Sequence, residues 1–510
     1  MPVMSSDAFG LPDAGVVEGQ VSRWAAADSG FGALLRTGLS TAEALARWGL
    51  QLLKANRFED AALVLRSAVA LAPCDPVRWT NCGMALDRTN SPGEAAVCFE
   101  RSLALSRQQP DTWLLLGLVR KKQGDAAAAE AAYRTALEQE PTMAIAWQCL
   151  GLLKEEGRDY PAAIECFTEC LKHGGASAAV LANLGKLYCD TGRFAEAQDA
   201  YGRAVELEAG NAHYRKMLRE TWFLRDIMEG VAVEEATATA KESATPQDDF
   251  GDRGLCELFD RALALLSGFG HLEAAMRVGR KRLEFWPGDA STEYLLQAIS
   301  GTTKLDRSPE RFIVEHFDAL AKRFDTHLVK ELGYDIPAKL AAAVRASTPE
   351  GHLYDALDAG CGTGLCGPLL RPLARTLTGV DLSSRMLEGA AARDVYDTLA
   401  CEELAGFLRR SPGGFDLMVA ADVMIYFGDL APIFDAAAGA IRTGGLLAFS
   451  TETGVEAGYR LKPSRHFAHA PDYVRAAAGE AFAQELCEET TIRLEANARV
   501  AGNLFLFRRR

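Results

Sequence analysis

Several kinds of pattern are missing from this 510-residue chain, and each absence closes off a class of function. None of its twelve cysteines stands in a Cys-x-x-Cys pair, so neither a structural zinc site nor a redox couple has support. Cys166 and Cys170 fall four apart on a predicted helix, and Cys361 and Cys366 flank a glycine-rich loop. These read as buried free thiols in a reducing compartment. No apolar run approaches the ~20 residues of a membrane span. The opening MPVMSSDAFG has no basic stretch followed by an apolar one, so a cytoplasmic protein is expected. Basic residues never run beyond three, as at Arg508-Arg509-Arg510, and the formal net charge is −14. That balance argues against a surface built to track nucleic-acid phosphates. With 48% hydrophobic and 24% charged residues, what remains is an ordinary globular composition, long enough for two or three domains.

What is present begins with a repeat. Gly49, Gly83, Gly117, Gly151 and Gly185 recur every 34 residues, as do Ala61, Ala95, Ala129, Ala163 and Ala197. Four residues after each alanine stands Leu65, Phe99, Tyr133, Phe167 or Tyr201, and Trp79, Trp113 and Trp147 mark the start of three units. The pattern resembles the tetratricopeptide repeat, a helix-turn-helix unit that stacks because a single hairpin cannot cover its own apolar face. Glycine and alanine are expected where paired helices approach, with the aromatic filling the gap to the next repeat. The resemblance implies an α-solenoid over 42–230, five repeats and a capping helix, whose groove receives a protein or peptide partner. A rigid spacer or dimerisation arm is the alternative reading. Arg47, Arg78, Lys121, Lys122 and Lys154 are candidate groove residues.

Residues 1–41 read as a leader, partly disordered, with at most one short helix. Residues 231–250 have few bulky apolar side chains and read as a flexible linker. Residues 251–305 look like degenerate repeat helices, with Leu263 in the glycine position, and are expected to dock on the domain C-terminal to them.

The second half turns on LYDALDAGCGTGLCGPLLRPLARTLTGVDLS, residues 353–383. A short apolar run around Ala356 and Leu357 suits a buried strand. It breaks into Asp358-Ala359-Gly360-Cys361-Gly362-Thr363-Gly364, where alternate glycines bare the backbone N–H groups to a ligand. A second apolar run ends in Asp381, 21 positions after Gly360. A carboxylate there can accept both ribose hydroxyls of a nucleotide-like cofactor. Gly362, Gly364 and Gly367 also satisfy G-x-G-x-x-G, so nicotinamide binding stays open by pattern alone.

The wider string DAGCGTG with GVDLS resembles the first two motifs of class I S-adenosylmethionine-dependent methyltransferases. The segment before it, with Phe324, Asp325, His327 and Tyr334, is similar to bacterial methyltransferases that carry tetratricopeptide repeats. The resemblance implies an α + α/β chain: the solenoid, then over 306–510 a Rossmann-like, seven-stranded domain with its last strand antiparallel. It implies S-adenosylmethionine as cofactor, held by Asp358, Gly360, Cys361, Gly362, Gly364, Asp381, Leu382, Met386, Glu403 (Glu402 second) and Asp422. Tyr334 or Phe324 would cover it, and Ser383 would cap the helix that carries Met386.

Methyl transfer needs chiefly alignment and exclusion of water, with a base only where the acceptor must lose a proton. The lid over 452–473 carries Tyr459, Arg460, Ser464, Arg465, His466, His469 and Tyr473. Tyr459, Arg460, Ser464 and His469 match the family's arrangement there, while Asp422 and Tyr426 follow the predicted fourth strand. The expected catalytic group is therefore His469 as base, with Asp422, Tyr426, Tyr459 and Arg460. Two alternatives remain at this level: a nicotinamide-dependent oxidoreductase, and a non-catalytic scaffold that only binds ligand. The acceptor, whether oxygen or nitrogen, small molecule or protein, has no sequence signal.

Overall fold

The computed structural model of the chain describes residues 11–245, 248, 250–301, 305–325, 334–495 and 498–510. It divides into two compact units, Met1–Leu218 and Arg219–Arg510.

Among the described residues, the first unit holds helices and no strand. Five hairpins pair Thr41–Lys54 with Phe58–Leu71, Pro76–Arg88 with Pro92–Leu105, and Pro110–Lys122 with Ala126–Gln139; Ala144–Glu156 with Tyr160–Lys172 and Ala178–Asp190 with Phe194–Leu207 complete the series. Pro76, Pro92 and Pro110 open helices at the position where a missing N–H costs nothing. The repeated glycines are small because the aromatic lies on them. A Cβ at Gly83 would come within 2.6 Å of the Phe99 ring, and one at Gly185 within 2.7 Å of Tyr201. The ring therefore fills the gap inside its own hairpin, not the gap to the next repeat as the sequence suggested. The three tryptophans donate their indole N–H to the carbonyls of Pro73, Arg107 and Pro141, each six residues back, which pins the turn entering the repeat.

Within the expected leader, the described residues hold two helices, Ala14–Ala27 and Ser29–Leu35, capped by Asp13 and Asp28. Val17 and Phe31 are fully buried, and Phe31 stacks on Trp48 at 4.3 Å. A first repeat has an apolar face with no preceding neighbour, and these helices cover it.

The second unit begins with more helices. Residues 231–250, read from composition as a flexible linker, contain the helix Val233–Glu242, which buries Val233, Ala236, Thr237 and Ala240. Small side chains let it pack closely with little apolar bulk, and Thr237 Oγ1 donates to Val233 O at 2.6 Å. Beyond it, Arg219 and Asp248 form an ion pair of 2.7 Å with both side chains buried. The degenerate hairpin Asp252–Gly268 with Leu272–Phe285 reverses the usual pairing. Leu263 takes the glycine position and Gly279 the aromatic one, so the large residue has changed helices. The following helix Ala290–Ser300 docks on the chain that follows it: Tyr294 Oη meets Ser308 Oγ at 2.7 Å and donates to Arg465 O at 3.1 Å.

Nine strands form one sheet: β1 (Tyr354–Ala359), β2 (Ala374–Asp381), β3 (Thr398–Cys401), β4 (Phe415–Ala420), β5 (Ile441–Glu452), β6 (Tyr459–Leu461), β7 (Phe467–His469), β8 (Phe482–Glu495) and β9 (Ala498–Arg509). The order β3-β2-β1-β4-β5 is parallel, β9 runs antiparallel beside β5, and β8 lies beyond β9. These seven make the expected layer, but β8 starts at Phe482, well before the Ile492 expected from sequence. The β6–β7 hairpin is an addition, joined to the end of β5 where Glu452 pairs with Ala468. Central strands read as continuous apolar runs because helices cover both faces of a parallel sheet. Strand order reverses between β1 and β4, so a crevice opens at their carboxyl ends. Among the described residues no helix is long and apolar enough to cross a membrane.

Candidate functional site

A cavity of about 420 Å³ opens at that crevice. Its floor is the turn after β1. Gly360 and Gly362 have φ of +64° and +54°, a region closed to most side chains. A Cβ at Gly362 would meet only the Phe324 ring, at 3.6 Å, so this glycine faces the open space. Gly364 does not: it packs on Arg393 and Tyr396 and shapes the turn from behind. Cys361 is buried at the rim, its N–H bound to Val380 O at 3.0 Å.

Asp381 ends β2 beside this turn and lines the cavity. Its two carboxyl oxygens each accept a backbone N–H at 2.9 Å, from Gly362 and from Ser383. Burial raises its pKa, while the N–H groups of Ser383, Gly362 and Leu382 oppose that rise. Leu382 and Glu403 line the same wall, and Glu403 caps the helix Leu404–Arg409 through Ala405 N and Gly406 N at 3.1 and 2.6 Å. Glu402, the second choice, lines the wall too and pairs with Arg410.

Like Gly364, two more predicted cofactor residues stand back from the cavity. Met386 is fully buried in the helix Ser384–Ala391, whose N-cap is Ser383 as expected. Asp358 lies beneath the turn, nearly inaccessible, and accepts from Tyr396 Oη at 2.6 Å. Burial pushes its pKa up to about 7.

The roof is the helix Glu310–Leu320 and the turn after it, which bring Phe312, Phe317 and Phe324 over the opening. Asp318 accepts from Ser383 Oγ at 2.5 Å, and Asp325 holds Thr363 Oγ1 and Arg393, so carboxylates tie the roof to the floor. Tyr334 lines the cavity. His327 lies outside the described residues.

At the far end stand Asp422 and Tyr426, both lining the cavity. Asp422 has φ of +56°, a strained conformation that its neighbours hold in place. Its N–H donates to Ser450 Oγ at 2.9 Å, and Ser450 Oγ donates back to Oδ1 at 2.8 Å. Arg493 Nη1 lies 3.3 Å from Oδ2. Burial raises the pKa of Asp422, with Arg493 opposing.

The lid residues divide differently from the sequence expectation. His469 is fully buried, with Nε2 2.8 Å from Phe427 O and Nδ1 without a partner. Burial drives its pKa down to about 4. It pins β7 to the turn after β4 and does not line the cavity. Tyr459 donates to Asp306 at 2.5 Å, and Arg460 is exposed on β6; neither reaches the site. Ser464, Arg465 and His466 do line it. His466 lies in the turn just before β7, whereas His469 ends that strand.

Sequence reasoning missed Glu452 and Arg493. Glu452 ends β5 with no exposure, contacting Arg493, with Lys462 Nζ at 2.8 Å and His466 Nδ1 at 3.0 Å. Burial opposes its ionisation, but the His466 hydrogen bond and the charges of His466, Arg493 and Lys462 hold its pKa well below the usual carboxylate range. A charge closing the apolar run of β5 was the available signal for Glu452, whereas Arg493 stands in a strand rich in glutamate and threonine and had none.

In the helical unit, all five candidate groove cations are engaged. Arg47 and Arg78 reach Glu43, Lys121 reaches Glu156, Lys122 reaches Asp87 and Lys154 reaches Glu130, at 2.6–3.3 Å. Arg47 pairs within its own helix and the other four tie helices to one another, so the cations do not form a preset anion clamp.

A methyltransferase-domain family model matches residues 357–447, and tetratricopeptide-repeat models match 83–144, 114–169 and 152–220. The chain is 27% identical over 125 residues to a ubiquinone biosynthesis O-methyltransferase of Colwellia psychrerythraea, covering 23% of this chain and 50% of the relative. It is 30% identical over 103 residues to that of Albidiferax ferrireducens, covering 19% and 40%. With the enzyme of Idiomarina loihiensis it shares 32% over 102 residues, covering 19% and 41%. The chain thus spans half or less of the length of these relatives. Among solved structures, one described as the conversion of a disulfide bond into a thioacetal group in echinomycin biosynthesis overlaps 34% of this chain and 81% of its own, at 22% identity and a TM-score of 0.28. YrrB, a tetratricopeptide-repeat protein with an unusual peptide-binding site, overlaps 36% and 95%, at 17% identity and a TM-score of 0.32. The chain carries tetratricopeptide repeats in its N-terminal part and a methyltransferase domain in its C-terminal part.

Proposed function

We propose that the protein transfers a methyl group from S-adenosylmethionine to a hydroxyl oxygen of an acceptor, and that the repeats recruit a protein or peptide partner. The observation that carries the cofactor assignment is Asp381, a carboxylate fixed by two backbone N–H groups at the edge of a glycine turn and facing the cavity. Each of its oxygens keeps a lone pair for a ribose hydroxyl. Gly360, Cys361 and Gly362 offer backbone to the cofactor, Leu382 and Glu403 the wall for its base, and Tyr334 and Phe324 the cover. Asp358 and Met386 shape the floor from beneath. Oxygen as acceptor atom is favoured by the names of the relatives.

When bound, the cofactor supplies a methyl group already activated on a sulfonium. The chain's own residues align and shield. Phe312, Phe317 and Phe324 exclude water from the roof, while Asp422 and Tyr426 border the end away from Asp381.

Calorimetry with S-adenosylmethionine, and with NADH as control, tests this reading. Losing a charge-assisted hydrogen bond costs roughly 1.5–3 kcal/mol, so Asp381→Ala should weaken binding by about ten- to a hundredfold. Unchanged affinity in that variant, or preference for NADH, would overturn the assignment.

A further inference from the structure

Two turns bring three polar side chains to the cavity wall. Tyr426 stands in the turn after β4, while Ser464 and His466 stand in the turn between β6 and β7. Arg493 sets the His466 ring. Its Nη2 lies 2.7 Å from Nδ1, and a guanidinium nitrogen can only donate, so Nδ1 gives its lone pair to that bond. Glu452 lies 3.0 Å from the same nitrogen and also contacts Arg493 Nη2, so beside the neutral ring it accepts from Arg493. It accepts from Nδ1 only when the ring is doubly protonated. The neutral ring therefore carries its hydrogen on Nε2.

That hydrogen governs Tyr426. Its Oη lies 3.5 Å from Nε2, beyond the ~2.7–3.2 Å of a good N–H···O bond, and this is its one hydrogen-bonding contact among the described residues. Nε2 has no lone pair to offer, so the phenol cannot donate there and its hydrogen is left for the cavity. Burial raises the pKa of Tyr426, with Arg493 opposing and Asp422 and Glu452 adding, so the phenol keeps that hydrogen. Ser464 supplies an independent sign of a ligand. Its Oγ is buried without a hydrogen-bond partner among the described residues, and the residue lines the cavity. Buried hydroxyls in folded proteins are nearly always paired.

We propose that Tyr426 Oη–H, His466 Nε2–H and Ser464 Oγ–H hold a carboxylate or carbonyl of the acceptor, on the same molecule as the hydroxyl that is methylated. This rests on the methyl-transfer reading above and names the acceptor class, a hydroxy acid or a hydroxy carbonyl compound. The three groups are donors that orient the substrate, and an oxygen with lone pairs and no hydrogen is what they recognise. Asp422 and Glu452, the carboxylates packed on this cluster, are both engaged by Arg493.

The full-length chain, labelled with nitrogen-15 in histidine and carbon-13 at Cζ of tyrosine, tests this with benzoate, acetophenone and toluene. Aromatic probes suit a wall on which Phe317 packs edge to face with Tyr426 at 5.7 Å. Signals are assigned through His466→Gln and Tyr426→Phe. Long-range proton–nitrogen spectra at mildly alkaline pH should show a hydrogen on His466 Nε2, and a bare Nε2 overturns the proposal. With S-adenosylhomocysteine bound, benzoate or acetophenone should shift both His466 Nε2 and Tyr426 Cζ, and toluene should not. The oxygen probe that binds more tightly tells carboxylate from carbonyl. An equal response to toluene, or none to either oxygen probe, overturns the proposal. Tyr426→Phe and Ser464→Ala should each weaken the bound probe about three- to tenfold, the loss of one hydrogen bond. Unchanged affinity in either variant overturns the proposal. Calorimetry with S-adenosylhomocysteine separates the two readings. Both variants should bind it within about threefold of the wild type, and a larger loss would make that residue a cofactor ligand and overturn the proposal. Absent binding by the wild type would overturn the methyl-transfer reading, and the same probe spectra on the unloaded chain then still decide whether the three donors bind an oxygen.

Discussion

In the helical unit a glycine meets the residue sixteen positions on, and the same encounter is made five times along the chain. In the sheet domain Glu452 meets Arg493 across 41 residues, and His466 joins them from a third element. The first arrangement is local, apolar and redundant. The second is long-range and charged, and each member depends on the others. A repeat array therefore spreads its stability along the chain, whereas the site concentrates buried charge where one missing partner leaves another uncompensated.

The strongest way to break this contrast is to remove Glu452. Deleting one partner of a buried ion pair costs about 3–5 kcal/mol. Glu452→Ala should lower the denaturation midpoint of the Arg219–Arg510 unit while the repeats keep theirs, as read by hydrogen exchange. An equal loss in both units would mean that the two parts unfold as one. The wild type should show the same dependence on pH. The depressed pKa of Glu452 gives stability that is present above the unfolded value of about 4.3 and is lost as pH falls below it.

Asp358 sharpens the comparison with the opposite sign. Its pKa is raised to about 7 by burial, so the folded state holds a proton that the unfolded chain releases near pH 3.9. Stability therefore declines as pH rises from about 4 to 7, then levels. Asp358→Asn keeps an acceptor for Tyr396 and removes that slope. Thermal melts should show the variant gaining on the wild type across this window, and parallel curves would place Asp358 as an ordinary ionised carboxylate.

In the repeats, Gly83→Ala adds a methyl where the Phe99 ring already lies. Overpacking costs about 1–3 kcal/mol, partly offset by roughly 1 kcal/mol of helix propensity. The net loss should be confined to hydrogen-exchange protection in neighbouring hairpins. The smallest effect is expected at Lys122, whose pair with Asp87 is half in solvent. Lys122→Ala should cost about 0–1 kcal/mol in a urea melt, and a larger loss would show that the inter-helix ion pairs act as a network.

The parts that were legible in the chain are those in which cause and consequence lie close together. Gly49 to Gly185 announce the hairpins because close approach needs a missing Cβ at a fixed spacing. Gly360, Gly362 and Asp381 announce the cavity floor because one βα turn and one strand end make it. Composition misled at 231–250, since Ala236, Thr237 and Ala240 pack closely without the bulky side chains that usually mark a buried helix. Composition also hid the two leader helices, whose only reason to order is the face of the next repeat.

The sequence by itself determined the repeat register and the glycine turn with the carboxylate that ends the next strand, through local spacing. Which histidine faces the cavity was decided only in three dimensions. A tight turn at Arg465 brings His466 to the cavity wall while His469 on β7 lies in the core, and β5 and β8 bring Glu452 and Arg493 together from distant parts of the chain. No spacing rule encodes that meeting, because the sheet pairs these strands through β9 rather than through neighbours in sequence.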